Sequence, residues 1–506
     1  MSSVSKRIVK NSLFLYFRLA YSTIAAFVVI RLLLQSLGEV NYGIYSILAG
    51  AVAMFQMVNG TLVTSTMRFI VCAEGEQDEE KKSRIFNLAL RVHLWMALLV
   101  ALAMEIGFLF FWERIFNIPA ERVAAAKIVF QFMVVLTFCN TLTNPYEALI
   151  ISHERMAFFA LWGIVQATGK LLLSLVLFYF VGDRLILYGA GMLAIFGGAA
   201  LWRVLFCRKF PESRVVLGRK IDLAELRALF LFSGWTFCGN VSNAVLTSGN
   251  SLLLNHFFGV LVNAAEGVAA QISGQLSIFA TTIMQAVNPV IMKYESSNNT
   301  DRALSLTCMS SKFIGLVFLF MAIPFLFEAD FVLSIWLKEV PEYAVVFCRL
   351  AVIRVVFTLL STPFVTYLNA TGNIRNFELT DGAVHILTLV AGFVWLKFGG
   401  APVTVYICVL ICVIVRMACR IFWVVRNSGF DPKDFLIGCL GRCALVGGVV
   451  SLLLWPLMEF MDNGWMRFFA VCVSSVLLMA IAIWFLGVTQ RERQLLLDLV
   501  KRKRAL

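Results

Sequence analysis

Long apolar runs recur along the whole of this 506-residue chain, and they restrict its fold more than any other feature. A run of about 20 apolar residues has the length of a helix that crosses a bilayer. Backbone amides in hydrocarbon must be hydrogen-bonded within the protein, and continuous runs meet that need as helices. With 60% hydrophobic and 14% charged residues, the chain also lacks the polar surface of a soluble protein. The sequence therefore predicts an all-α integral membrane protein.

The apolar runs predict fourteen membrane-spanning helices. They cover residues 12–34, 44–69, 85–112, 123–151, 157–181, 185–206, 226–254, 263–292, 304–327, 343–368, 379–398, 402–425, 435–458 and 465–487. Lys and Arg concentrate in alternate connections, about 23 against about five, and such residues favour the cytoplasmic side. Both termini are therefore expected in the cytoplasm. Contacts with anionic membrane lipids account for the net charge of +13, so we expect no nucleic acid partner.

Two pairs of similar segments indicate an internal duplication. The residues around Gly38 resemble those around Gly259, and Thr143-Asn144-Pro145 resembles Ser361-Thr362-Pro363 at an offset of 218 residues. Six spans separate the copies, so both halves enter the membrane from the same side as a parallel repeat around a central cleft. We expect Pro145 and Pro363 to act as hinges, because proline removes a backbone donor and kinks a helix. The alternative is that membrane helices merely tolerate these prolines.

The duplication sets the expected organisation of the chain. An N-terminal lobe of six helices is predicted over residues 1–206, and a basic cytoplasmic linker over residues 207–225. A C-terminal lobe of six helices is predicted over residues 226–425. Two further helices over residues 435–487 and a basic cytoplasmic tail over residues 488–506 complete the chain.

Polar side chains form a line along the seventh predicted helix, at steps of four, three, four and three residues. They are Thr236, Asn240, Asn243, Thr247 and Asn250. Gln271 and Gln275 lie one turn apart on the eighth helix. Polar groups within a span are costly towards lipid and are typical of a substrate path. The alternative is that they join helices through hydrogen bonds, which explains a single residue better than a line of five.

Cations outnumber carboxylates within the predicted spans, and this excess favours an anionic ligand. Lys170 and Arg354 lie near the middle of their spans, where exposure to lipid is least favourable. An arginine suits phosphate because its planar fork gives two parallel hydrogen bonds. We therefore predict a substrate-binding set of Arg18, Arg68, Lys170 and Arg354, in which Arg18, Lys170 and Arg354 bind phosphate. Arg68 and Arg420 lie near span ends, from which long side chains also reach lipid headgroups.

Energy for transport is expected from an ion gradient or from a partner, because the chain has no phosphate-binding loop of an ATPase. Asp381, Glu266 and His385 are the candidates for binding a coupling H+ or Na+, since buried titratable groups near a path often do so. For Arg354 and Asp381 the alternative is an internal ion pair. No cofactor is expected, and the twelve cysteines lack the spacing of metal ligands.

Six segments carry a resemblance to a known family. They are residues 37–45, 66–69, 152–156, 232–235, 258–265 and 286–289. Together they resemble the bacterial O-antigen and capsular polysaccharide repeat-unit flippases of the multidrug/oligosaccharidyl-lipid/polysaccharide (MOP) exporter superfamily. The resemblance implies two six-helix lobes that form a V-shaped cavity and work by alternating access. Spans 13 and 14 depart from the twelve-span members and look like those of peptidoglycan-precursor flippases.

The resemblance also implies a function in the bacterial inner membrane. A polyprenyl-diphosphate-linked oligosaccharide for lipopolysaccharide or capsule would move from the inner to the outer leaflet, and the polysaccharide polymerase machinery would be a partner. Its diphosphate would bind the predicted cations. Its sugars would bind the amides of Asn240, Asn243, Asn250, Gln271 and Gln275. The protein is then a transporter and not an enzyme.

Three other functions are weighed against this hypothesis. A cation-coupled multidrug exporter of the same superfamily would need acidic and aromatic groups for cationic drugs, and the cationic spans argue against it. A membrane polysaccharide polymerase or ligase would need catalytic carboxylates in an outward connection. Only the connection after the ninth span is acidic, through residues that include Glu328 and Asp330. A non-transporting scaffold would not explain the polar line.

Overall fold

The computed structural model describes residues 3–115, 119–216, 222–337, 340–490 and 492–494. Each predicted apolar run falls on a helix, and the described residues contain no strand, so the all-α prediction is confirmed. The helices are α1 Ser3–Gly75, α2 Glu79–Ile115, α3 Val123–Ser152, α4 Met156–Tyr179, α5 Arg184–Cys207, α6 Leu223–Phe258, α7 Val260–Ser296, α8 Thr300–Trp336, α9 Ala344–Thr371, α10 Arg375–Lys397, α11 Val403–Ser428, α12 Pro432–Phe460 and α13 Trp465–Gly487.

The number of candidate spans is smaller than the predicted fourteen. Eleven helices of the described chain are long and apolar enough to cross a membrane, and α7, which bends by 43° between Ile278 and Thr281, makes twelve. Helix α6 is not among them, because its line of Asn and Thr residues lowers its hydropathy. Two of the predicted runs share α1, which Gly38 interrupts. The count of fourteen is therefore not confirmed.

The duplication is visible in the backbone at two glycines. Gly38, between the two runs of α1, has φ 76° and ψ 165°, and Gly259, before α7, has φ 79° and ψ −169°. A positive φ of this kind is strained for any residue with a Cβ atom. Both copies of the repeat therefore use glycine for the same turn between their first two spans.

The chain forms two compact units. The first comprises Val9–Phe237, and the second comprises Cys238–Leu506 with the first eight residues. This division falls within α6, whereas the sequence placed a linker at residues 207–225. The described part of that linker packs on the first unit, where the buried Glu212 bonds to His153 after α3. Residues 217–221, and 491 and 495–506 of the predicted tail, lie outside the described part.

Helices α3 and α9 are the central helices of their units. In the first unit α3 packs against α2 and α5, and in the second α9 packs against α7, α8 and α11. Pro145 lies in α3 and Pro363 in α9, and both are buried. Each helix continues through its proline without a non-helical residue. Their role as hinges stays a prediction.

An arginine and a hydroxyl repeat next to each proline. In the first unit Nη2 of Arg203 donates to Oγ1 of Thr143 over 2.7 Å, and in the second Nη1 of Arg420 donates to Oγ of Ser361 over 2.8 Å. Both arginines are at least 93% buried, with 2% and 7% of their surfaces exposed. The expectation that Arg420 extends to lipid headgroups is therefore wrong, because its guanidinium is bonded inside the second unit.

Two ion pairs attach the last helices to α8. Nε and Nη2 of Arg467 in α13 donate to the two carboxylate oxygens of Glu328 over 2.9 and 3.2 Å. Nζ of Lys312 lies 2.5 Å from Oε2 of Glu492, beyond the end of α13. Glu328 is fully buried at a break in α8, with φ −101° and ψ 18°. Its assignment to an outward connection is therefore wrong, because it lies within a helix and is neutralised by Arg467.

Candidate functional site

A cavity of about 510 Å³ lies within the first unit, between α1, α4 and α5. Its described lining contains two cations and no carboxylate. The polar residues that line it are Arg18, Ser22, Tyr42, Tyr45, Gln166, Lys170 and Tyr188. The structure thus brings together Arg18 and Lys170, two of the three cations predicted to bind phosphate. Because the remaining lining is mainly apolar, these two charges dominate the electrostatics of the cavity.

Arg18 is held at the cavity by α4. Its guanidinium lies 4.5 Å from the centre of the Phe159 ring, a cation–π distance. Gly163, one turn further along α4, leaves room for the side chain, because a Cβ atom there would lie 2.5 Å from Nε of Arg18. Nη1 of Arg18 is buried and has no hydrogen-bond partner among the described residues. A buried donor without a partner is costly, and an anionic ligand would satisfy it.

Lys170 lies two helical turns from Gly163 on the same helix. Its Nζ lies 4.8 Å from the centre of the Phe196 ring in α5. Within the described chain it forms no hydrogen bond and no ion pair. The ring holds the ammonium while leaving its three donors unused. Lys170 and Arg18 therefore present two cationic groups to one space.

Glu147 on α3 is the carboxylate that acts on Arg18 through space. Its Oε2 is bonded to Nη1 of Arg203, a residue that also lies 4.7 Å from the centre of the Trp162 ring. Glu147 is therefore neutralised by Arg203 and does not line the cavity. The net charge at the cavity stays positive as a result.

Replacement of Gly163 by alanine tests the position of Arg18. The added methyl group would overlap the Arg18 side chain and displace its guanidinium from the cavity. We expect binding of a diphosphate-bearing lipid to weaken about tenfold, because a charge-assisted hydrogen bond contributes roughly 1.5–3 kcal/mol. Titration calorimetry in detergent measures this affinity. Gly197→Ala in α5, where a Cβ atom would approach a side chain only to 4.0 Å, is the control and should bind as the wild type does.

Arg68 is not part of this cavity. Its guanidinium lies 4.9 Å from the Phe69 ring and 4.8 Å from the Phe232 ring, between two aromatic faces. Arg354 belongs to the second unit, on α9. The predicted set of four cations is thus divided by the structure into a pair at the cavity and two residues elsewhere.

The predicted sugar-binding amides all lie in the second unit, on α6 and α7. Four of them are exposed and Asn250 is half-buried. The four exposed residues are Asn240, Asn243, Gln271 and Gln275. The structure therefore leaves them accessible to a ligand.

Arg354 interacts electrostatically with Tyr406 and Glu266, two groups of the second unit. The carboxylate of Glu266 accepts a hydrogen bond from Ser251 over 3.2 Å. Asp381 instead binds Arg416 over 2.6 Å and Arg420 over 2.8 Å. The alternative prediction of an ion pair between Arg354 and Asp381 is therefore wrong, because both partners of Asp381 come from α11.

His385 lies one turn beyond Asp381 on α10 and is buried. Its Nδ1 lies 3.1 Å from Oγ of Ser242 in α6. The same region contains Glu378, which sequence reasoning missed because the predicted span began one residue later, at 379. Its spacing of three residues from Asp381 is the signal that could have found it, since residues three apart share a helix face.

Comparison with known proteins identifies one family from a sequence profile and one fold from solved structures. The profile of the polysaccharide biosynthesis protein family matches residues 8–295. No curated protein matches the chain. A solved MATE structure in complex with MaD3S is 12% identical, with a TM-score of 0.73 over 84% of this chain and 97% of that one. An outward-facing multidrug resistance MATE family transporter of the MOP superfamily is 14% identical, with a TM-score of 0.71 over 85% and 97%.

A MOP superfamily transporter from Pyrococcus furiosus has the same fold. It is 14% identical, with a TM-score of 0.70 over 83% of this chain and 95% of that one, and a reversed polarity of its binding pocket is reported for it. The family profile covers more than half of the chain, and these structures agree in fold over most of its length. The chain therefore belongs to the polysaccharide biosynthesis protein family and has the fold of the MATE transporters of the MOP superfamily.

Proposed function

We propose that this protein is a flippase for a polyprenyl-diphosphate-linked oligosaccharide. It moves the polysaccharide repeat unit from the inner to the outer leaflet of the bacterial inner membrane by alternating access. The observation that carries the proposal is the cavity of the first unit, whose described lining holds Arg18 and Lys170 and no carboxylate. A cationic drug would be repelled there, whereas a diphosphate would be attracted.

The chemistry of the head group fits the residues of both units. Charge neutralisation by Arg18 and Lys170 lowers the cost of removing the diphosphate from water. The accessible amides of α6 and α7 offer donors and acceptors to sugar hydroxyl groups. The polyprenyl tail stays in the lipid, so only the polar head crosses. O-antigen or capsule repeat units are the substrates that this chemistry and the family together favour.

A leaflet assay tests this function. Purified protein is reconstituted into liposomes that carry a fluorescent polyprenyl-diphosphate oligosaccharide, and accessibility of the fluorophore to a membrane-impermeant quencher is followed. We expect the wild type to accelerate exchange between leaflets above protein-free liposomes. The same lipid with its diphosphate removed is the matched control and should exchange at the background rate.

Two results would contradict the proposal. One is a folded wild type that fails to exchange the lipid but transports a cationic drug under a proton or sodium gradient, as a multidrug exporter would. The other is a lipid-linked glycan that becomes longer during the assay, which mass spectrometry would detect and which a polymerase would produce.

A further inference from the structure

The carboxyl group of Glu378 lies against the backbone of α6. A Cβ atom on Gly239 would overlap its Oε2, so a residue larger than glycine at this contact between α6 and α10 would have to displace the carboxyl group. Glu378 is half-buried, and its carboxyl group forms no hydrogen bond and no ion pair within the described chain. Its carboxyl group has no fixed counter-charge among the described residues, unlike the carboxylates of Asp381 and Glu328, which are paired with arginines.

The charged neighbours of Glu378 come from two helices. Asp381 lies one turn away on α10, and Arg416 and Arg420 face it from α11. His385 lies one turn further, and its ring contacts Ser242 of α6. Both arginines donate to Oδ2 of Asp381. Nε of Arg420 and Oδ1 of Asp381 are buried and form no hydrogen bond within the described chain. The network can therefore form further hydrogen bonds at these two atoms.

This arrangement distinguishes Glu378 from the three groups that were predicted to bind a coupling ion, Asp381, Glu266 and His385. Asp381 is neutralised by two arginines, and a proton on His385 would add a third positive charge beside them. Glu266 lies beside Arg354 and is bonded to Ser251. Glu378 alone of these four groups combines partial burial with the lack of a bonded partner. The charge of Asp381 repels an ionised Glu378, whereas the charges of Arg416 and Arg420 attract it.

The same neighbours discriminate between the two coupling ions. A sodium ion needs several oxygen ligands and would be repelled by two guanidinium groups. A proton requires only one carboxylate. The cluster around Glu378 therefore suits a proton and does not suit sodium.

We propose that the coupling ion is a proton and that Glu378 binds it. The proposal rests on the proposed function, for which it names the driving ion. The carboxylate takes up one proton from the side of higher proton activity and releases it to the other side, and no other bond forms or breaks. The neutral carboxyl packs against Gly239, whereas the ionised form is attracted to Arg420 and its unused Nε. Proton binding thereby acts on α6, the helix that bears the polar line.

The experiment compares exchange in liposomes without a gradient, with a proton gradient and with a sodium gradient. We expect the proton gradient to accelerate the wild type at least tenfold and the sodium gradient to have no effect. Glu378→Gln should keep exchange without a gradient and bind the substrate lipid normally, but lose the acceleration. Glu121→Gln, at an exposed carboxylate outside the cluster, is the matched control and should respond as the wild type does.

A second readout does not depend on flipping. Infrared difference spectra of the detergent-solubilised wild type across a pH titration should show the carbonyl band of a protonated carboxyl, and Glu378→Gln should lack that band. Acceleration by protons that survives in folded Glu378→Gln, or acceleration by sodium in the wild type, would overturn the proposal. If the band is present but no variant or wild type flips the lipid, the proposed function fails while the proton site stands.

Discussion

A variant with alanine in place of both Arg18 and Lys170 is expected to flip the lipid at least about 100-fold more slowly than the wild type. Each side chain would donate a charge-assisted hydrogen bond to the diphosphate, worth roughly 1.5–3 kcal/mol, so the pair contributes about 3–6 kcal/mol. The two cations line one cavity without a carboxylate, and therefore no other group of its described lining replaces them. The leaflet assay with the fluorescent diphosphate lipid measures this loss.

Two controls separate charge from folding. Lys397→Ala removes an exposed cation at the end of α10 and should flip at the wild-type rate. Lys170→Arg keeps the positive charge and should retain most of the activity, although the guanidinium is bulkier than the ammonium. The Arg18 and Lys170 double variant should unfold at a temperature close to that of the wild type, because neither side chain is engaged in a salt bridge among the described residues. Flipping at the wild-type rate in this variant would refute the diphosphate site.

The helices could be predicted from the sequence because hydropathy is a local property. Runs of about 20 apolar residues mark spans whatever their neighbours are. The count was not confirmed at α1, one helix that contains two of the predicted runs with Gly38 between them. Helix α6 shows the opposite case, since its polar line lowers the hydropathy of a helix that the structure nevertheless forms.

The pairing of charges could not be predicted, because partners lie far apart in the sequence. Lys170 and Arg18 are 152 residues apart and meet in one cavity. Asp381 finds Arg416 and Arg420 on the next helix, whereas the sequence offered Arg354. Depth within a span can be read from the sequence, but the direction that a side chain takes around its helix depends on packing. Charged positions were therefore found while their partners were not.

The repeat was the one long-range feature that the sequence did reveal. Its motifs mark the glycines with positive φ and the hydroxyls of Thr143 and Ser361 that bind a buried arginine. Such positions demand a particular residue type, so both copies show the same pattern. The carboxylates differ, since Glu147 lies on the central helix of its unit and Asp381 on a neighbouring one. The two units thus share these glycines and hydroxyls, while the positions of their carboxylates differ.

Glu328→Ala is expected to lower the free energy of unfolding by about 3–5 kcal/mol, the cost of leaving a buried partner uncompensated. Arg467 would retain its contact with Asn463 but lose the only carboxylate it binds within the described chain. Helix α13 would then be attached to α8 less firmly. Thermal and denaturant unfolding in detergent, followed by circular dichroism, measures the change.

Asp330→Ala is the matched control, two residues away on the same helix. Its ion pair with Arg349 is exposed, with 58% and 38% of the two side chains accessible, so we expect a loss below about 1 kcal/mol. Replacing Glu328 and Arg467 together by methionine should recover most of the stability, because no buried charge is then left alone. If Glu328→Ala and Asp330→Ala lose the same free energy of unfolding, burial of the Glu328–Arg467 pair does not hold α13 on α8. Binding of the diphosphate lipid should be unchanged in every folded variant of this series, since the cavity belongs to the first unit and the ion pair to the second.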